Sequence, residues 1–468
     1  MNHKKLLLTL TLCLCALLCM VVTASASEVS VHTNHFVVGC QNNDHGHTPV
    51  TEWQPWTGPQ SASEDNIPYD FNTKTAYIYL ANNVEIEDAL TIPKDHTLYL
   101  CLNGHDIIRT GNLIQIQEDA SFTLCDCKGD KAEYGKLDSN KGGRVVSFES
   151  GKPGTFTMYG GIITGGNITG NSGGGVFVGD KNIFTMYGGT ITGNRARYTG
   201  GGVVVYGAFN MYGGAITGNS AQEGGGGVAA HGTFTMYGGA ITDNTCNGSY
   251  NGGGVYVKNG TWSTGAITLS GNVQIKDNYK GSNSNKKPSN LYLTNNKEIA
   301  VEGSLTGSSI GVTTATEPST GSNVTFAVGS ENTITTGIFT PDTAGVLVGV
   351  AADGTSAYLY KCSHVYNEWA YDQEYHWKKC TNVGCDSVEA GSKIAHTWDY
   401  PADYNKPKTC VCGATQGEPL TRSYYYYAPS AAENKKDSPK TADPGVLLYA
   451  GLALASLTGL ACTAKKRH

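Results

Sequence analysis

The chain is predicted to be all-β, a right-handed parallel β-helix, and three observations carry that prediction. A phrase close to Phe-Thr-Met-Tyr-Gly-Gly-x-Ile-Thr-Gly recurs four times, anchored at Phe156, Phe184, Phe209 and Phe234 with steps of 28, 25 and 25 residues. A run of glycines followed by Val-x-Val or Val-x-Ala accompanies each copy, at Val176 and Val178, Val203 and Val205, Val228 and Ala230, and Val255 and Val257. The repeat is too short for a helical hairpin and too poor in alanine, leucine and charge to make helices. Stacked coils of this length pair strand on strand about 4.8 Å apart, and parallel crossovers take the right hand.

The elements follow in chain order. Residues 1–26 have the form of a secretory signal peptide: Lys4 and Lys5, an apolar stretch over 6–22, and Ala24-Ser25-Ala26 as the cleavage site. Residues 27–76 are a leader or cap in which Cys40, His45 and His47 precede Trp53 and Trp56. A solvated leader is favoured there over a metal site.

The β-helix is assigned to residues 77–360. Strand alternation puts Phe156 and Met158 on one side, Thr157 and Tyr159 on the other. The Val-x-Val elements make a second side, and Ile163, Ile191, Ile216 and Ile241 a third, giving three short strands per coil. Asn194, Asn219 and Asn244 are expected to stack at one turn, their amides hydrogen-bonding along the stack and their backbones free to take left-handed angles; Gly166 replaces the first asparagine. The 61 glycines read as corners, not as disorder.

Tyr159, Tyr187, Tyr212 and Tyr237 should form an outward aromatic ladder, either a ligand face or a stack that stabilises the sheet by self-packing. Cys101, Cys125 and Cys127 near the start of the solenoid read as buried thiols or a disulfide pair, with the buried small apolar role favoured.

Residues 361–417 form a Cys/His module. Its candidate ligands are Cys362, His364, His376, Cys380, Cys385, His396, Cys410 and Cys412, interleaved with Trp369, Trp377 and Trp398. Cys-x-His, His-x3-Cys and Cys-x-Cys spacings can bring thiols and imidazoles to one centre, and five cysteines is an odd number for disulfides. Zinc is therefore favoured over disulfide pairing. Residues 418–437, with Tyr424 to Tyr427, read as a linker. Residues 438–468 place Ser438-Pro439-Lys440-Thr441-Ala442 ahead of an apolar stretch over 446–464, about the length of a transmembrane helix, and a basic tail of Lys465, Lys466 and Arg467.

Charge and motif content exclude several functions. A formal net charge of −6, more acidic once both terminal segments are set aside, disfavours nucleic acid. Between residues 155 and 260 the acidic residues are Asp180, Glu223 and Asp243, at three different positions of the repeat, so they form no facing carboxylate pair. Gly307-Ser308-Ser309-Ile310-Gly311 fits Gly-x-Ser-x-Gly, yet the sequence around it offers strands and no helix. The glycine runs lack the Lys-Ser/Thr of a phosphate-binding loop.

Taken in order, these parts resemble the Gram-positive cell-wall-anchored surface proteins of gut Firmicutes. The C-terminal order resembles the LPxTG-class sortase signal, and Cys101-Leu102-Asn103-Gly104-His105, Asn290-Leu291-Tyr292-Leu293 and the Cys/His segment resemble the β-helix and knuckle modules of those proteins. The resemblance implies cleavage after Thr441 by a sortase and transfer to peptidoglycan, after transient anchoring in the membrane. It also implies a non-enzymatic, adhesin-like role on the cell surface, with host or bacterial glycans or matrix proteins as ligands. The alternative is a wall-anchored polysaccharide lyase or hydrolase, because parallel β-helices also carry such chemistry.

Overall fold

A computed structural model of the chain describes residues 53–59, 67–127, 134–248, 251–260, 263–281, 285–382, 385, 387–399 and 406–417. The expected signal peptide, the Cys40, His45 and His47 cluster, the linker and the sorting signal from Ser438 to Ala442 with its apolar stretch lie outside these residues. The described residues contain strands and turns and no helix long and apolar enough to cross a membrane. The chain divides into two compact units, Met1–Ile394 and Ala395–His468.

The first unit is an all-β parallel solenoid built on one continuous sheet of 29 strands. The repeated phrase forms its most regular wall. Gly154–Met158 pairs in register with Asn182–Met186, setting Phe156 against Phe184 and Met158 against Met186, and the next two coils continue with Phe209 and Phe234. Phe122, one coil earlier, joins the row, and successive ring centroids lie 5.2, 4.7, 4.6 and 5.0 Å apart. All five rings are fully buried, and each contributes roughly 2–3 kcal/mol from burial. The Val-x-Val and Ile strands pair in the expected registers, Val176 with Val203 with Val228 with Val255, and Ile163 with Ile191 with Ile216 with Ile241.

Each repeat coil has four strands, one more than the sequence pattern suggests. The additional ladder runs through Asn167–Ile168, Arg195–Ala196, Ser220–Ala221 and Thr245–Cys246. Two residues are too few to show an alternation, and the inward side chains Ala196, Ala221 and Cys246 are small.

The asparagine stack forms and extends further than expected. Asn194 Nδ2 donates to Asn219 Oδ1, Asn219 to Asn244 and Asn244 to Asn278, each at 3.0 Å, and Asn278 donates to Asn290 at 3.1 Å. At the open end the Gly166 N–H donates to Asn194 Oδ1. The left-handed residue is the one before the ladder position: Gly165 before Gly166, and Gly193, Gly218, Asp243 and Asp277 before Asn194, Asn219, Asn244 and Asn278, all have positive φ. Glycine and aspartate tolerate that region, so the asparagines are selected for their amides and not for their backbone angles.

The second glycine of the Tyr-Gly-Gly step is a steric requirement. Gly214 has φ +84°, and a Cβ there would lie 2.6 Å from Met186 Cε and 2.8 Å from the Gly189 carbonyl oxygen. Gly189 meets Met158 in the same way one coil earlier.

Both ends of the solenoid are covered. Gln54–Trp56 pairs in parallel with Ile78 to Leu80 and buries Trp56 against the first coil. At the other end Val324–Gly329 pairs antiparallel with Ser356–Lys361, which pairs antiparallel with Val346–Val350. That hairpin, lying within the segment assigned to the β-helix, stops the parallel stacking and protects its edge.

Candidate functional site

The tyrosine ladder sits on the outer side of the Phe wall. Strand alternation turns Tyr159, Tyr187, Tyr212 and Tyr237 away from the core, and the ring pairs stack at 4.8, 4.9 and 4.6 Å with interplanar angles of 10°, 14° and 10°. Parallel rings at this spacing cover one another's faces, leaving edges and hydroxyls toward solvent. Tyr212 and Tyr237 are the more exposed members, whereas burial, with the neighbouring Tyr187 adding to it, pushes the Tyr159 phenol up to about 12. Thr157, Thr185, Asn210 and Thr235 line the adjacent row.

A second apolar cluster lies outside the Val-x-Val wall, where the sequence pattern gives no sign of it. Val204, Ala229 and Tyr256 are buried there beneath half-buried Phe177, Tyr206 and Tyr292. Arg144 lies 4.5 Å from the Phe177 ring centre and donates to the Ser172 carbonyl oxygen. His231 stacks on Tyr206 and its Nε2 is 3.1 Å from Thr199 Oγ1, which is 3.1 Å from Ser172 Oγ. Burial, assisted by Lys258, lowers the His231 imidazole to about 4, so the ring is neutral at physiological pH.

The Cys/His segment supplies the metal chemistry. Strand Ser356–Lys361 delivers Cys362 and His364 to one side of a pocket, and the turn after Tyr375–Lys379 delivers Cys380 and Cys385 to the other. Their four ligand atoms all lie within 4.8 Å of one another. Cys362 Sγ is 3.6 Å from Cys380 Sγ, and Cys385 Sγ is 3.3 Å from His364 Nδ1. Tetrahedral Zn–S bonds of about 2.3 Å put sulfurs about 3.7 Å apart, close to this spacing. The turn is fixed by Thr381 N–H donating to the Val365 carbonyl and Cys385 N–H to that of Asn382. Leu347 of the end hairpin and Tyr366 pack against the three cysteines.

Asn382, absent from the sequence-derived ligand set, supports the site. Its Nδ2 donates to Cys362 Sγ at 3.1 Å and to the Ser363 carbonyl at 2.7 Å. Burial works against ionising Cys380, but the Asn382 and Val365 N–H groups and the His364 ring outweigh it and bring that thiol down to about 6. Cys362 moves the opposite way, pushed up to about 11 by burial. Cys380 thus ionises more readily than Cys362, and a bound cation would draw protons from the thiols it meets.

In the second unit, His396, Cys410 and Cys412 form another group of donors. Cys412 Sγ lies 3.5 Å from His396 Nδ1, and Cys410 N–H donates to the Ala414 carbonyl in the tight turn that presents both sulfurs. Burial opposes the Cys410 thiolate, while the Cys412 N–H and the His396 ring lower it to about 7. The eight donors therefore do not form one set. His376 is buried in the first unit with its ring edge-on to Trp369 at 4.8 Å. None of the nine described cysteines is in a disulfide.

The Gly-x-Ser-x-Gly match is structural. Ser309 opens the strand Ser309–Thr314, and Ser308 Oγ donates to the Gly271 carbonyl and accepts from the Val273 N–H. Comparison with protein-family models, curated proteins and solved structures finds no match.

Proposed function

We propose that this chain is an exported, non-enzymatic surface protein that displays a right-handed β-solenoid as an adhesin-like binding face and is linked to peptidoglycan at Thr441 by a sortase. The observation that carries the binding reading is the tyrosine ladder with its threonine-rich neighbour row: hydrogen-bonding groups repeat at the coil spacing along one flat wall. With ring faces occupied by one another, recognition falls to the phenol and threonine hydroxyls, which suits an extended glycan or a protein strand that also repeats. In the Cys/His segment the proposed ion is zinc, because thiolate and imidazole donors at tetrahedral spacing match its preferences. Zinc held by Cys362, His364, Cys380 and Cys385 would brace the segment that follows the end hairpin.

The test is binding of the purified protein to glycan and matrix-protein arrays, with sugar release followed in the same wells. Saturable binding without release, weakened when Tyr187→Phe and Tyr212→Phe remove two hydroxyls and keep both rings, supports the proposal. Release of oligosaccharide would establish a lyase or hydrolase instead.

A further inference from the structure

Three cysteines meet where two early coils stack. Strands Thr97–Cys101 and Ala120–Cys125 run parallel and in register, with Cys101 directly opposite Cys125. Leu98 and Leu100 point into the core, as do Phe122 and Leu124, so alternation turns both cysteines to the outer side of the sheet. They are nevertheless 0% and 1% exposed.

The turn after Cys101 is held beside them: Asn103 takes a left-handed φ of 51°, and the N–H groups of Gly104 and Gly135 both donate to the Asp126 carboxylate, between Cys125 and Cys127 in the chain. Cys127 is only half-buried, and its Sγ donates to Asn103 Oδ1 at 3.1 Å. The Cys101 thiol interacts with the thiols of both Cys125 and Cys127. Burial pushes it well above the ordinary thiol range, so it is a poor first nucleophile.

We propose that Cys101, Cys125 and Cys127 form a redox site in which Cys127 reacts first with a small disulfide oxidant and the new bond is passed inward to rest between Cys101 and Cys125. The Cys127 thiolate attacks one sulfur of oxidised glutathione, breaking its S–S bond and releasing one glutathione thiol. Cys101 then attacks the Cys127 sulfur and expels the second glutathione, its proton passing to the departing sulfur. Cys125 attacks the Cys101 sulfur and returns Cys127 to the thiol. In sum, two protein thiols are oxidised to one disulfide and one oxidised glutathione is reduced to two thiols.

The register suits the final bond. Neighbouring strands lie about 4.8 Å apart, within the roughly 4.4–6.8 Å Cα separation that disulfides span. Cys101, in contact with both partners, is placed to receive the bond from one and share it with the other. The product would clamp two successive coils near the amino-terminal end of the solenoid while leaving a regenerated thiol that can reopen it by exchange.

The experiment incubates the full-length protein with oxidised glutathione in mildly alkaline buffer, quenches by alkylation and maps cysteine peptides by mass spectrometry. The map reads each cysteine separately, so oxidation in the Cys/His segment does not obscure the result. The expected product is a Cys101–Cys125 cross-linked peptide with Cys127 alkylated. Cys127→Ser should form that cross-link at least about fivefold more slowly. Cys101→Ala should stop at a glutathione adduct on Cys127. Alkylation of all three cysteines in the treated wild-type protein, or a Cys127→Ser variant that cross-links at the wild-type rate, would overturn the proposal.

Discussion

Asn290 donates both its backbone N–H and its side-chain amide to the carboxylate of Asp342, at 2.7 and 2.6 Å, and so closes the amide ladder that begins at Gly166. Each asparagine amide from Asn194 to Asn278 donates forward to the next ladder residue and back to an isoleucine carbonyl of the preceding coil, so the residue that ends the ladder has only to accept. An ionised carboxylate meets that condition and an amide does not.

Asp342→Asn is therefore expected to destabilise the protein by about 1–3 kcal/mol, because either amide orientation sets its NH2 against one of the two Asn290 donors. Burial, only partly offset by the hydrogen bonds from Asn290 and Thr313, raises the Asp342 carboxyl above its ordinary 3.8. Between that value and the raised one the folded state holds a proton that the unfolded chain has lost, so this group's contribution falls as pH rises through the window and is level above it. Denaturant titrations of wild type and variant over the acid range measure both effects.

His231 has the opposite sign. Its imidazole is lowered from 6.5 to about 4 by burial and by Lys258, while Thr199 and Tyr206 hold the ring in place. The unfolded chain binds the proton first, so stability is full above pH 6.5 and declines as pH falls toward 4, by about 3 kcal/mol in all. His231→Gln should flatten that part of the pH–stability profile; an unchanged slope would remove His231 as its source.

Gly214→Ala should cost about 2 kcal/mol or more, because the new methyl meets Met186 Cε and the Gly189 carbonyl at a left-handed backbone position. Gly151→Ala, at φ +70° with open space around the added methyl, bears the backbone strain alone and should cost less. Thermal melts of the pair separate steric from conformational cost.

Removing metal from the Cys/His segment with a chelator should speed hydrogen exchange at the amides of Thr381 and Cys385, which the four-donor turn holds, and make Cys362, Cys380 and Cys385 reactive to thiol reagents. Amides of the Phe209 and Phe234 strands, bonded within the solenoid, should exchange unchanged. Cys380→Ser should mimic the chelator at the turn. Equal protection with and without metal would argue that the cluster holds none.

The solenoid was readable because its information is one-dimensional: equivalent residues stack at a fixed interval, so the positions of Phe156, Ile163 and Val176 in one coil set those of their counterparts in the next. The asparagine ladder was partly readable for the same reason, and Asn278 shares with Asn244 a preceding aspartate and the isoleucine three residues before it. Asn290 and Asp342 were not, since they join the ladder from 12 and 52 residues beyond their partners, without a repeat to announce them. The eight donors of the Cys/His segment were found by composition, but their division depends on which chain reversals bring which pairs together, as with Cys362 and Cys380.

The architecture of the repeats, the identity of the core and the residues capable of holding a metal follow from the order of residues, because periodic side chains and ligand chemistry are local properties. Tertiary structure alone decided that the tyrosine faces are covered by one another, that a second apolar cluster surrounds Val204, that Asn382 supports Cys362, and that Cys101 meets both Cys125 and Cys127. Each of these rests on contacts across coils or turns, where spacing in the chain does not specify distance in space.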